Sequence, residues 1–90
     1  MIKNTEAVIK IVRAGSKLHA RITPICQCCG EASQKTYLEL RRSDRSSDVW
    51  LVSYHNSDKT QWNVDDIHAQ NMEEALTVLC KNYNIKPVKE

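Results

Sequence analysis

The strongest constraint on this chain is a change of hydrophobic period near residue 70. Before it, apolar side chains alternate in short runs: EAVIKIVR at 6–13, LHARITPI at 18–25, KTYLELRR at 35–42 and DVWLVSYH at 48–55. Strict alternation with many β-branched residues is the signature of strands that show one face to a core. After it, Met72, Ala75, Leu76, Leu79 and Tyr83 recur at helical spacing. They form a single apolar stripe. A chain built this way folds as a sheet first and one helix last.

The punctuation fits that reading. AGSK at 14–17 is a turn, so the first two runs make a hairpin. Pro24 cannot donate to a ladder and stops the second strand near its own position. SDRSSD at 43–48 is a loop by composition, and NSDK at 56–59 is another turn. Val49 and Leu51 alternate with Trp50, Val52 and Tyr54, so both faces of that run are apolar and it belongs inside the sheet. TQWNV at 60–64 is a short fifth strand. Asn71 caps a helix over 72–83, with Glu74 three residues on. Asn84 closes the helix, and Pro87 forbids its continuation. The expectation is an α+β fold: an antiparallel sheet of four to five strands with one C-terminal helix packed on one face. Residues 1–90 form a single domain.

A chain of 90 residues buries only about 60–65% of its unfolded surface, so its margin of stability is thin. Its 41% hydrophobic and 27% charged residues are ordinary for a globular protein. Phe is absent, so the aromatic core must come from Trp50, Trp62, Tyr37, Tyr54 and Tyr83. The net charge of +2 is well short of the excess expected of a dedicated nucleic-acid binder and has the wrong sign for a DNA mimic. Lys3, Glu6, Lys10 and Arg13 interrupt the N-terminal apolar residues, which excludes a signal peptide or membrane span there. The expected setting is the cytoplasm, away from membranes, with reduced cysteines.

Three of the four cysteines fall in TPICQCCGE, residues 23–31. Cys26-Gln27-Cys28-Cys29-Gly30 contains Cys-x-x-Cys-Gly and resembles the zinc knuckle of ribbon-like proteins. There two sulfurs face one metal while the glycine relieves a tight turn. A closed zinc site needs four ligands, and no second Cys-x-x-Cys is present. Cys26, Cys29, Cys80 and His68 are the candidate set, with His19, His55 and Cys28 as substitutes. The plainer alternative is a turn with free thiols and no cofactor. Redox chemistry ranks last, because Gly30-Glu31-Ala32-Ser33 leads toward a strand, whereas a low-pKa dithiol opens a helix.

Arg41, Arg42 and Arg45 cluster at a strand end and its loop, and Lys10, Arg13, Lys17 and Arg21 lie on the first hairpin. Together they could track a phosphate backbone, with Tyr37 or Trp62 for stacking. Asp44 and Asp48 interrupt the arginines, so a solvated loop is the simpler reading. The histidines form no catalytic set. Asp65 and Asp66 are neighbours on a strand and point to opposite faces. There is no phosphate loop and no nucleophile elbow, so no enzyme activity is expected. One helix covers one sheet face. An open face with some mixture of Val8, Val12, Tyr37, Trp50 or their alternating partners invites a protein partner or a second copy. The simpler reading of Trp50 and Trp62 places both in the core.

The run from AVIKIVRAGSKLHARI to VWLVSYH and the closing helix NMEEALTVLCKNY resemble the build of small orphan accessory proteins of phages and prophages, anti-CRISPR inhibitors among them. The passage IHAQNMEEAL resembles that of small antitoxin domains. Such resemblance implies a stoichiometric inhibitor or regulator that binds a host protein or nucleoprotein complex without catalysis, and it assigns no residue a role. The alternative is a nucleic-acid-binding module with a structural zinc knuckle. A homodimer fits either.

Overall fold

A computed structural model describes residues 2–26, 28–33, 35–58 and 60–88. Gln27 of the cysteine turn and Lys59 of the 56–59 turn lie outside the described residues. The strands are β1 (Thr5–Ala14), β2 (Lys17–Pro24), β3 (Tyr37–Arg42), β4 (Val49–His55), β5 (Gln61–His68) and β6 (Ile85–Val88), with helix α1 (Met72–Tyr83) between the last two. All six strands share one sheet in the order β5-β4-β3-β2-β1-β6. Neighbours are antiparallel except β1 and β6, which pair in parallel from Thr5↔Ile85 to Val8↔Val88. The α+β class and the covering helix are as expected. The sheet is mixed and six-stranded, against an expectation of four to five antiparallel strands.

Two features account for the difference. Asn84 closes the helix as expected, but the chain then continues through Pro87 as β6. Proline is tolerated there because an edge strand has one row of backbone groups that need no partner. β5 runs eight residues to His68, not five to Val64. A register shift opposite Val52 and Ser53 breaks its alternation part-way, the local effect of a bulge.

The cross-strand register sorts the side chains into two faces. One row reads Ile9, Ile22, Leu38, Tyr54 and Trp62; the next reads Ile11, Ala20, Leu40, Val52 and Asp65. This face packs against α1. Ala20, Ile22, Leu38, Leu40 and Val52 are fully buried, as are Ala75 and Leu79 of the helix. Trp50, Ile67, Tyr83 and Ile85 complete the core. The other face carries Val12, His19, Arg41 and Leu51 in one row, and Lys10, Arg21, Glu39 and Ser53 in the next.

The sheet curls around the helix. The helix starts beside the far end of β4 and β5, where the Ala69 N–H donates to the Asp48 carbonyl at 3.0 Å. It ends beside β1, where the Asn4 N–H donates to the Tyr83 carbonyl at 2.9 Å. The Tyr83 hydroxyl nevertheless reaches back to Asp65 Oδ2 on β5 at 3.3 Å. Strands at the two edges of the sheet therefore both meet α1. Twelve helical residues span only about 18 Å. They leave two places uncovered: the β1–β2 tip, where Ile11 is 51% exposed and Leu18 37%, and the start of β5, where Trp62 is 48% exposed.

Candidate functional site

The uncovered β1–β2 tip, the β3–β4 loop and the start of α1 enclose a cleft of about 900 Å³. Leu18, Trp50 and Met72 line it, together with Lys17, Arg41 and Arg42. Leu18 and Arg42 belong to the helix-side face, Arg41 to the outer face, so the cleft runs over the strand ends. Trp50 is fixed in place. Its indole N–H donates to the Ala69 carbonyl at 3.0 Å, and the Arg42 guanidinium lies 4.8 Å above its ring. Arg42 also donates to the Gln70 carbonyl at 3.4 Å. Lys17 pairs with Asp44 at 3.3 Å, but both side chains are largely exposed. Such a pair contributes about 0–1 kcal/mol, so a ligand carboxylate could compete for Lys17. Glu39, Asp44 and Glu73 line the cleft as well, so it can take up an apolar side chain beside charged groups of either sign.

A second cluster lies on the outer face. The Arg21 guanidinium sits 3.8 Å above the Tyr37 ring. His55 stacks on Tyr37 at 4.4 Å with the rings 11° from parallel. Among the described residues His55 Nε2 has no hydrogen-bond partner, and it lies 3.9 Å from Glu39 Oε2. Tyr37 is thus already in contact with two planar groups of its own chain, which limits its use as a platform for a base.

The cysteine turn is tied down at the opposite end of the sheet from the cleft. Ile25 and Ala32 form an antiparallel bridge. The Cys26 N–H donates to the Glu31 carbonyl at 2.9 Å, and the Gly30 N–H to the Cys26 carbonyl at 2.8 Å. Gly30 has φ +74, a backbone position that glycine occupies without strain. Cys26, Cys28 and Cys29 are all exposed. Backbone N–H groups of Cys29 and Cys28, then the Cys29 thiol, hydrogen-bond Cys26 and hold its thiol below the usual range. Cys80 is half-buried on α1, and burial pushes its thiol up.

The structure divides the residues singled out in the sequence. Arg41 and Arg42 both line the cleft, from opposite faces. Arg45 lies in the β3–β4 loop, Tyr37 at the other end of the outer face, and Trp62 at the far corner of the helix side. The five do not form one surface. His68 ends β5 beside Val49, at the cleft end of the sheet. Strand β5 has eight residues, so about 25 Å separates that end from the cysteine turn. Among the described residues, no three His, Cys, Asp or Glu side chains are grouped to hold a metal. Cys26, Cys29, Cys80 and His68 are therefore not brought together. Leu18 and Met72 of the cleft were assigned no binding role from sequence. Leu18 sits at a strand end beyond the reach of the helix, and that could have marked it.

No protein-family model, curated protein or solved structure matches the chain. No described helix is long and apolar enough to cross a membrane.

Proposed function

We propose that this chain is a small non-enzymatic binding protein, a stoichiometric inhibitor or regulator of a cytoplasmic host protein or nucleoprotein complex. It takes an apolar segment of a protein partner, flanked by charged groups, into the cleft between the β1–β2 tip and the start of α1. The supporting observation is the apolar lining of Leu18, Trp50 and Met72 beside charges of both signs, Lys17, Arg41 and Arg42 with Glu39, Asp44 and Glu73. Exposed Ile11, on the helix side of the adjoining strand, extends the apolar surface. A nucleic-acid interface draws less support. Tyr37 is stacked within its own chain, and Trp62 is remote from the arginines that line the cleft.

The test compares complexes isolated from the native host with wild-type protein and with Leu18→Asp. Leu18 is partly exposed, so the variant keeps its fold, checked by thermal melting. One protein partner per chain should be held by the wild type and lost by the variant. A hot-spot residue contributes about 2 kcal/mol or more, so affinity should fall roughly 30-fold. Binding of both forms to RNA or DNA, weakening about a thousandfold or more between roughly 50 and 200 mM salt, would replace this reading with the nucleic-acid one.

A further inference from the structure

β5 is one edge of the sheet and β6 the other. The two edges differ in what they offer another chain. β6 has four residues and contains Pro87, which has no N–H to donate, so it is a poor template for a further strand. β5 has eight residues, Gln61–His68, and no proline, lysine or arginine among them. It pairs with β4 alone, and Gln61, Trp62, Asn63 and Asp66 are exposed. Alternate backbone N–H and C=O groups of such a strand point away from its one neighbour and stay open.

The side chains of this edge narrow what can occupy it. Trp62 is 48% exposed on the helix side, edge-on to Tyr54 at 5.0 Å. An apolar side chain on an added strand would cover it. Asp65 is already engaged: its Oδ2 accepts the Tyr83 hydroxyl at 3.3 Å and its Oδ1 the Asp66 N–H at 2.9 Å. Asp66 stands opposite Leu51 on the outer face. Among the described residues its carboxylate has no ion-pair partner. The occupant that complements this edge therefore brings a cation. A second copy does not. Two β5 strands paired antiparallel over their full length would gather Asp65 and Asp66 of both chains beside the two-fold axis, and like charges across a ladder destabilise it. Trp62 faces Tyr54 and Asp66 faces Leu51, three positions apart on β4, with the register shift at Val52/Ser53 between them.

We propose that the β5 edge receives an extended segment of a protein partner as a seventh strand, with an apolar side chain over Trp62 and, three positions away on the opposite face, a lysine or arginine beside Asp66. Main-chain hydrogen bonds to the open row attach the segment, and the two side chains fix its register and its sequence. This surface is separate from the cleft, whose wall holds Leu18, Trp50 and Met72, and it does not depend on what enters there.

The probe is a random library of ten-residue peptides, selected on full-length protein and counter-screened on Leu18→Asp so that peptides entering the cleft drop out. The selected peptides should share an apolar residue with a lysine or arginine three positions away. A synthetic peptide of that sequence should slow amide exchange in β5 and leave β6 unchanged. Methylating alternate backbone nitrogens of the peptide should abolish binding in one phase and spare it in the other. Trp62→Ala should weaken binding roughly 30-fold, the scale of a hot-spot truncation. Asp66→Lys should also weaken it, and should recover binding when glutamate replaces the basic residue of the peptide. Both positions are exposed, so circular dichroism of the variants should match the wild type. No enrichment, an acidic consensus, indifference to methylation in both phases, or full affinity for Trp62→Ala would each overturn the proposal. The cleft is tested apart from it, by the loss of the native partner in Leu18→Asp.

Discussion

Tyr83 shows how much one side chain does in a chain this small. It sits in the last turn of α1, its backbone carbonyl takes the Asn4 N–H, and its hydroxyl reaches Asp65 on β5. Burial, followed by the nearby Asp65 charge, pushes its phenol up to about 12. A phenol that ionises later when folded than when unfolded favours folding only while it is protonated. Its contribution is complete below about pH 10, the ordinary phenol value, and is lost as the pH rises through about 12. Thermal melts should therefore show Tm falling across that window. Tyr83→Phe should lower Tm at neutral pH and flatten the alkaline slope; an unchanged slope would remove Tyr83 as its source. At this scale the sequence was legible where burial follows alternation. Trp50 is core, 3% exposed, as its strand position implied. Trp62 is not, although its residue type suggested that it would be. Its strand position is on the helix side, but the helix does not extend over that corner.

The elements divide in the same way. β1 to β4 and α1 were readable within a residue or two, because each carries an uninterrupted period and a clear stop. The helix start was readable in its chemistry as well: Asn71 Oδ1 accepts the Glu74 N–H at 2.8 Å. Removing that acceptor costs about 1 kcal/mol. Asn71→Ala should accordingly lower the unfolding free energy by that amount in urea titration with the m-value unchanged, and Asn71→Ser should restore most of it. The end of β5 and all of β6 were not readable, for different reasons. In β5 the bulge puts Trp62 and Ile67 on one face although their numbers differ by five, so period-two counting stops at Val64. In β6 four residues are too few to show a period, and the parallel partner, β1, lies some eighty positions earlier. The cleft depends on these features together. It opens where a curled sheet, a short helix and a strand tip fail to meet, and their relative placement is not visible as a local pattern.

At the scale of the molecule, the fold keeps the cleft and the cysteine turn apart. The principal extents are 40 × 26 × 23 Å, with the cleft at one end of the strands and the thiol turn at the other. Sites so separated, with no shared partners, should respond to substitution additively. The two tryptophans fall on either side of that division. Trp50 lies in the cleft wall, 3% exposed, its indole N–H bonded and a guanidinium above its ring. Trp62 lies on the edge strand, 48% exposed and edge-on to Tyr54 at 5.0 Å. The protein thus carries two intrinsic fluorophores in contrasting surroundings. Acrylamide should quench Trp62 and spare Trp50. In a Trp62→Phe variant, the remaining blue-shifted emission should change when a partner enters the cleft. A single emission spectrum could then follow the occupancy of one end of the molecule without any attached label.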